Sequence, residues 1–337
     1  MNASISVILP FRDAAETLDA ALSGLLAEDD ASREVLAVDD GSTDSGPERV
    51  RTWARRDPRV RLLANEGRGL VAALRRGLMA SAGALIARMD ADDVAHPARL
   101  ARQRAHLLTH PEIAVLGTRV RAFTSSGAPV GEGLSRYVAW QNALVTPEEH
   151  ALARFVESPL CHPSIMLRRA VLVAEGGYRA FDGPEDYELF LRLVERGHKL
   201  AKLPEELLAW RHRDGRATFD DARYGLDKFR ATKAPYLARV LTASAPREIV
   251  LWGAGPTGRR LARALAAHGA LPVRFVDIDP AKVGRTAQGA PIVTPDALDP
   301  ARDVVVAAVG ARGARALIAE ALRRRGFREG ESAWLAA

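Results

Sequence analysis

Short apolar runs alternate with amphipathic ones from the first residues on, and no other feature of the chain constrains its fold as much. Ile5–Leu9 is followed by Ala15–Leu26, Val35–Val38 by Glu48–Arg55, Val60–Leu63 by Leu70–Ala82, and Leu85–Met89 closes the series. Runs of four or five apolar residues suit strands covered on both faces, and one-sided runs suit the covering helices, so the pattern predicts an α/β sheet. Pro97 and Pro184 mark further helix starts; after the second, Tyr187, Phe190, Leu191 and Val194 recur on one helical face. From about Phe123 to Pro163 the pattern loosens and reads as an inserted region.

The alternation stops and restarts. We place a first domain at residues 1–218, a helical linker at 219–246 and a second α/β domain at 247–337. The second has strands at Ile249–Trp252, Val273–Asp277 and Val304–Val309 and helices at Gly258–Ala267 and Ala314–Arg325. Its length, about 90 residues, leaves room for about half of a full dinucleotide-binding sheet.

Composition removes several classes. A single cysteine, Cys161, can form neither an internal disulfide nor a Cys-rich zinc site, and 47% hydrophobic residues suit a soluble globular chain, so a cytoplasmic location is expected. Every apolar stretch falls short of the roughly 18 residues a bilayer-spanning helix needs. The N-terminus reaches Asp13 with no basic leader, so no secretory signal is expected. The net charge of +6 comes from 43 arginines and only five lysines, spread along the chain rather than gathered with aromatics, which argues against nucleic-acid binding. Attraction to anionic phosphates or a membrane surface stays open, as does oligomerisation.

Three acidic clusters stand at strand ends or a helix start: Asp39-Asp40 after Val38, Asp90-Ala91-Asp92-Asp93 after Met89, and Glu185-Asp186 after Pro184. Ligands of open α/β sheets bind at the C-terminal ends of strands. Asp90-x-Asp92 offers hard oxygen ligands of the kind that hold Mg2+ or Mn2+ together with a substrate diphosphate. Either cluster alone is also an ordinary turn or cap; their conjunction favours chemistry.

On these residues the chain resembles the family 2 glycosyltransferases, inverting enzymes of the GT-A fold that transfer a sugar from a nucleotide diphosphate donor. The resemblance runs from the N-terminus to about Gly215 through Ser6–Pro10, Glu34–Asp44, Gly69–Gly83 with Ile86–Asp93, His162-Pro163-Ser164, Gly176-Gly177-Tyr178 and Glu185–Leu189. It implies that Pro10, Phe11, Arg12, Asp39, Asp40, Arg68 and Asp90 meet the donor nucleotide. Asp92, with Asp90 and His212, would hold Mn2+ or Mg2+. Asp186 would be the general base, with Glu185 the alternative. His162 would border the acceptor or simply pack, and Trp140, with Tyr137, would stack on an acceptor sugar or anchor the insertion. Arg75 replaces the family's usual Asn, which suggests an arginine fork near the donor phosphates.

The expected function is therefore metal-dependent, inverting transfer from a nucleotide sugar, with UDP the expected carrier. The acceptor would be a saccharide or lipid-linked molecule in surface polysaccharide or glycoconjugate assembly. The chain lacks the Gln-x-x-Arg-Trp segment of processive synthases, so single-sugar transfer is expected.

The second domain carries Gly253-Ala254-Gly255-Pro256-Thr257-Gly258 between a strand and a helix, with Asp277 ending the next strand. This is a dinucleotide fingerprint in its proper context. It resembles the small Rossmann-like domains attached to sugar-modifying proteins, which leaves three roles open: a second nucleotide, NAD(P), or a structural docking module. The competing functions are a non-catalytic nucleotide-sugar sensor and an NAD-linked sugar oxidoreductase.

Overall fold

The computed structural model describes residues 4–27, 32–212, 222–244 and 246–337. The chain divides into two compact units, Met1–His150 with Pro159–Asp221, and Ala151–Ser158 with Ala222–Ala337.

The first unit contains β1 (Ile5–Phe11), α1 (Leu18–Leu26), β2 (Arg33–Asp39), α2 (Gly46–Arg56), β3 (Val60–Ala64), α3 (Leu70–Ala80), β4 (Leu85–Arg88), β5 (Val94–Ala95), α4 (Arg99–Thr109), β6 (Ile113–Thr124) and α5 (Glu132–Ala143). After α6 (Pro147–Ala153), which runs across the division between the units, come β7 (Met166–Arg168), α7 (Arg169–Ala174), α8 (Glu185–Glu195) and β8 (Lys199–His212). Its eight strands run in the order β3-β2-β1-β4-β7-β6-β8-β5. The β3-β2-β1-β4 half is parallel, and β7 is antiparallel to both of its neighbours. Every residue of β1 is buried. Ile5, Val7, Leu9 and Phe11 enter the cluster with Leu18, Leu22 and Leu25 of α1, whereas Ile8 enters the opposite one with Leu74 and Leu78 of α3. The continuous apolar run in the sequence is thus a strand facing two cores, and each such side chain contributes about 1.5–3 kcal/mol. A Cβ on Gly77 would lie 2.5 Å from Ile8 Cγ2, so only glycine lets α3 sit this close to the sheet.

The loosened region contains the end of the twelve-residue β6, then α5 and α6. β8 spans fourteen residues despite Pro204 and pairs β6 through register shifts near Thr118 and Arg119.

The second unit contains α9 (Leu226–Thr242), β9 (Glu248–Trp252), α10 (Pro256–Ala266), β10 (Arg274–Val276), β11 (Thr286–Ala287), β12 (Ala290–Val293), β13 (Asp303–Ala307), α11 (Ala314–Arg324) and β14 (Ala333–Leu335). The order is β11-β12-β10-β9-β13-β14, with all pairs parallel except β11 with β12. The expectation of half a sheet is corrected: five parallel strands follow the doubly wound 3-2-1-4-5 order, because the short β12 and β14 complete both sides. Phe155 packs edge-on against Trp334 at 5.5 Å, and Val156 joins the core of this unit.

Candidate active site

The end of β4 sets the site. Among the described residues, Asp90, Asp92 and Asp93 form the group of potential metal ligands, each offering an oxygen within 4.8 Å of the others. All-oxygen donors at this spacing fit Mg2+ or Mn2+. Arg88 Nη1 approaches Asp90 Oδ1 at 2.6 Å. From β8, the Arg211 N–H donates to Asp93 Oδ1 at 2.7 Å and its Nε donates to the Asp92 carbonyl at 2.6 Å. The Arg211 guanidinium also lies over the Phe123 ring at 4.6 Å. His212 is not part of the carboxylate group; it is the neighbouring arginine that clamps the loop.

Below this loop, Arg99 is completely buried and donates from Nη2 to the Arg88 carbonyl at 2.7 Å. Gln103 donates to the carbonyls of Leu116 and Ser164 at 2.7 and 2.9 Å. These two residues of α4 saturate main-chain oxygens where the sheet turns from parallel to antiparallel. Sequence reasoning missed them; the only signal was a polar pair at helical spacing on an otherwise apolar face.

Asp186 lies in the first turn of α8, where a carboxylate meets free amides. Its Oδ1 accepts the Tyr187 N–H at 2.8 Å. Pro184 occupies the N-cap, with no side-chain hydrogen bond. Burial, then the neighbouring Glu185 carboxylate, push the Asp186 carboxyl up to about 7, against the Tyr187 amide and Arg88. The helix is buried on more than its apolar stripe: Arg192 donates from Nε and Nη2 to the two oxygens of Glu188, both at 2.9 Å.

His162 is buried rather than lining an open pocket. Its Nε2 lies 3.0 Å from Tyr178 Oη and its Nδ1 3.7 Å from the buried Glu185 carboxylate. Burial and then Arg88 drive the imidazole pKa well below its usual value, so the ring is neutral. Trp140 is half-buried and tilts against Tyr137 at 5.9 Å.

Pro10 and Phe11 are buried at the end of β1, and Arg12 is exposed beside Asp13. Asp39 accepts the Ser42 N–H at 2.9 Å, closing its own turn. Asp40 accepts the Gly69 N–H at 2.9 and 3.0 Å and Asn65 Nδ2 at 2.6 Å, which ties the end of β2 to the loop carrying the exposed Arg68. Arg75 does not present its Nε to this region; it donates to the Tyr178 carbonyl at 2.7 Å, joining α3 to the segment before α8.

In the second unit, Gly253, Gly255 and Gly258 lie around the turn from β9 into α10. Asp277 Oδ2 accepts the Ala254 N–H and Lys282 Nζ, each at 3.1 Å, and Oδ1 accepts the Asp279 N–H at 3.0 Å. The acid that would grip a ribose in a dinucleotide site is satisfied from within.

A parallel half-sheet joined to an antiparallel one, with carboxylates clustered at the end of β4 and a further carboxylate at the head of α8, is an α/β unit of the GT-A fold. Comparison places it: a profile for glycosyl transferase family 2 matches residues 6–175, and the chain belongs to that family. It is a glycosyltransferase. The amylovoran biosynthesis glycosyltransferase AmsE of Erwinia amylovora is 30% identical over 206 residues, 61% of this chain and 74% of that one. The O-antigen biosynthesis glycosyltransferase WbnJ of Escherichia coli is 25% identical over 67% of this chain and 88% of its own. A crystal structure of S. aureus TarS 1–349 in complex with UDP-GlcNAc has a TM-score of 0.56 at 18% identity, covering 79% of this chain and 71% of that one. No helix among the described residues is long and apolar enough to cross a membrane.

Proposed function

We propose that the first unit transfers a single sugar, with inversion, from a UDP-linked donor to a hydroxyl of a saccharide or lipid-linked acceptor in surface polysaccharide or glycoconjugate assembly. The observation that carries this is the different treatment of two carboxylate sites served by one cation. Arg88 pairs with Asp90 at 2.6 Å and lends its charge to Asp186, whose carboxyl is still pushed up to about 7 by burial and then by Glu185. A base poised near the working pH can take a proton that an ordinary carboxylate would not hold.

In this scheme Pro10, Phe11, Arg12, Asp39, Asp40 and Arg68 receive the nucleotide. Asp92 and Asp90 hold Mn2+ or Mg2+, which when bound neutralises charge on the departing diphosphate. His212 meets the diphosphate rather than joining the carboxylate group. Asp186 removes the acceptor hydroxyl proton while that oxygen attacks the anomeric carbon opposite the diphosphate. The new C–O bond forms as the bond to the diphosphate breaks, so one displacement inverts the centre. Trp140 offers a ring face to the acceptor, and His162 fixes Glu185 behind the base. A dinucleotide in the second unit has no place in the scheme, since Asp277 is engaged by Lys282 and Ala254.

The amylovoran and O-antigen names of the relatives support the polysaccharide setting, and UDP-GlcNAc in a protein of like fold supports the uridine carrier. Peripheral association with the inner face of the membrane would bring a lipid-linked acceptor within reach. The test is release of nucleoside diphosphate from UDP-, dTDP- and GDP-sugars with Mn2+ and a panel of saccharide and lipid-linked acceptors. Acceptor-dependent UDP release is expected, and no release with any donor overturns the proposal.

A further inference from the structure

The second unit holds a cleft of about 390 Å³ lined by Ala254, Gly255, Pro256, Arg259, Arg260, Arg263 and Lys282. All four ionisable side chains on its wall are cations. Arg259 donates to the Ala254 carbonyl, and Lys282 pairs with Asp277 and Asp279. Among the described residues, no carboxylate lies within ion-pair distance of Arg259, Arg260 or Arg263. The wider unit has the same bias, with 20 lysines and arginines against 11 acidic residues, so the first unit supplies none of the chain's net positive charge.

The glycines of the turn separate fold from ligand. Gly253 takes φ +124°, and a Cβ there would meet the Ala308 carbonyl at 2.7 Å; a Cβ on Gly258 would lie 1.8 Å from the Gly253 carbonyl. Gly253 is required by its backbone conformation and by the close approach of the chain that follows β13, and Gly258 by the packing of α10 on β9. Gly255 is not: its φ is −81°, and a Cβ there would meet nothing within 4 Å. A residue that neither backbone nor packing restricts to glycine, on the wall of a cationic cleft, leaves a space the protein itself does not fill.

The geometry points to a phosphate site in this cleft, independent of the Asp90–Asp93 group, for a ligand bearing a diphosphate or phosphate ester. Arginine forks and backbone amides recognise phosphate oxygens directly. The internal satisfaction of Asp277 removes the ribose grip of a dinucleotide, so recognition rests on the phosphates. Their source is either a soluble nucleotide or a lipid headgroup.

The experiment uses the full chain in EDTA, where a metal-dependent donor site is silent. Pyrophosphate and UDP are titrated calorimetrically into wild type, Gly255→Asp, the double variant Arg260→Ala/Arg263→Ala, and Asp92→Asn. Wild type and Asp92→Asn should bind pyrophosphate equally, with an affinity that falls as salt rises. Both cleft variants should bind it about tenfold or more weakly, as expected for lost charge-assisted bonds. The two arginines are exposed, and a Cβ at 255 meets nothing within 4 Å, so these variants should keep the fold. No metal-free binding, or equal binding by both cleft variants, overturns the site. UDP binding tighter than pyrophosphate assigns a nucleotide. Equal binding, with arginine-dependent recruitment to phosphatidylcholine vesicles only when they contain phosphatidic acid, assigns a lipid phosphate. Loss of metal-free binding in Asp92→Asn alone would return it to the first unit and overturn the site while leaving the donor proposal intact.

Discussion

Arg88 Nη1 lies 2.6 Å from Asp90 Oδ1 while the arginine itself is only 3% exposed. The last residue of β4 therefore places a buried cation beneath the aspartate two positions on. The same charge favours ionised Asp186 and disfavours protonated His162.

Removing that cation should be costly. Arg88→Met leaves the Asp90 carboxylate without its buried partner, and breaking such a pair costs about 3–5 kcal/mol. Urea unfolding should show a lowered midpoint, with Arg88→Lys in between because it keeps the charge and loses the fork.

Asp186→Asn and Asp92→Asn should fail differently. The first removes the proposed base, and loss of general-base catalysis typically lowers turnover by about 10²–10⁴-fold with donor binding retained. The second should weaken Mn2+-dependent donor binding itself, as EDTA does for wild type. Calorimetry with UDP beside turnover measurements separates them, and unchanged turnover in Asp186→Asn removes it as the base.

The pH profile should carry the coupling of the two acids. Asp186 must be ionised to act, so turnover should fall on the acid side with an apparent pKa near 7. Glu185→Gln removes the adjacent negative charge and should move that limb to lower pH; a limb that stays in place or moves up counts against the assignment.

The same shift acts on stability with a definite sign. The folded pKa is raised from 3.8 to about 7, so across that window the folded state holds a proton the unfolded state has released. Stability from this group is present below the window and is lost as pH rises through it. Asp186→Asn should therefore gain stability over wild type at pH 8 compared with pH 4, read from unfolding midpoints.

Lys233 offers a test in the second unit. Its buried Nζ donates to the carbonyls of Phe155 at 2.7 Å, Val156 at 3.2 Å and Ala336 at 2.7 Å. Lys233→Met leaves these oxygens unsatisfied at about 1–3 kcal/mol for a buried group, and should lower the thermal midpoint.

The sequence pattern reveals β1 to β4 because each is a dense apolar run between helical stretches, and Asp90–Asp93 stand out as three carboxylates within four residues directly after such a run. β6 and β8 were not legible: Lys199–His212 mixes charges, a proline and apolar residues, and is a strand only because β6 and β5 lie beside it. The clamp by Arg211 on Asp92 and Asp93 joins residues more than a hundred positions apart, so no local pattern reveals it, and the family resemblance points instead to its neighbour His212. Arg75 looked like a phosphate ligand by type, yet its Nε serves the Tyr178 carbonyl.

Residues 151–158 belong to the second unit although the chain returns to the first at Pro159. During synthesis, Phe155 must wait for Trp334 and Lys233 for Ala336, a delay on the order of ten seconds at ribosomal elongation rates. The first unit emerges earlier with this apolar segment still lacking its cover. A cut between the units cannot yield two whole pieces, and a fragment begun at Arg247 would lack both this segment and α9.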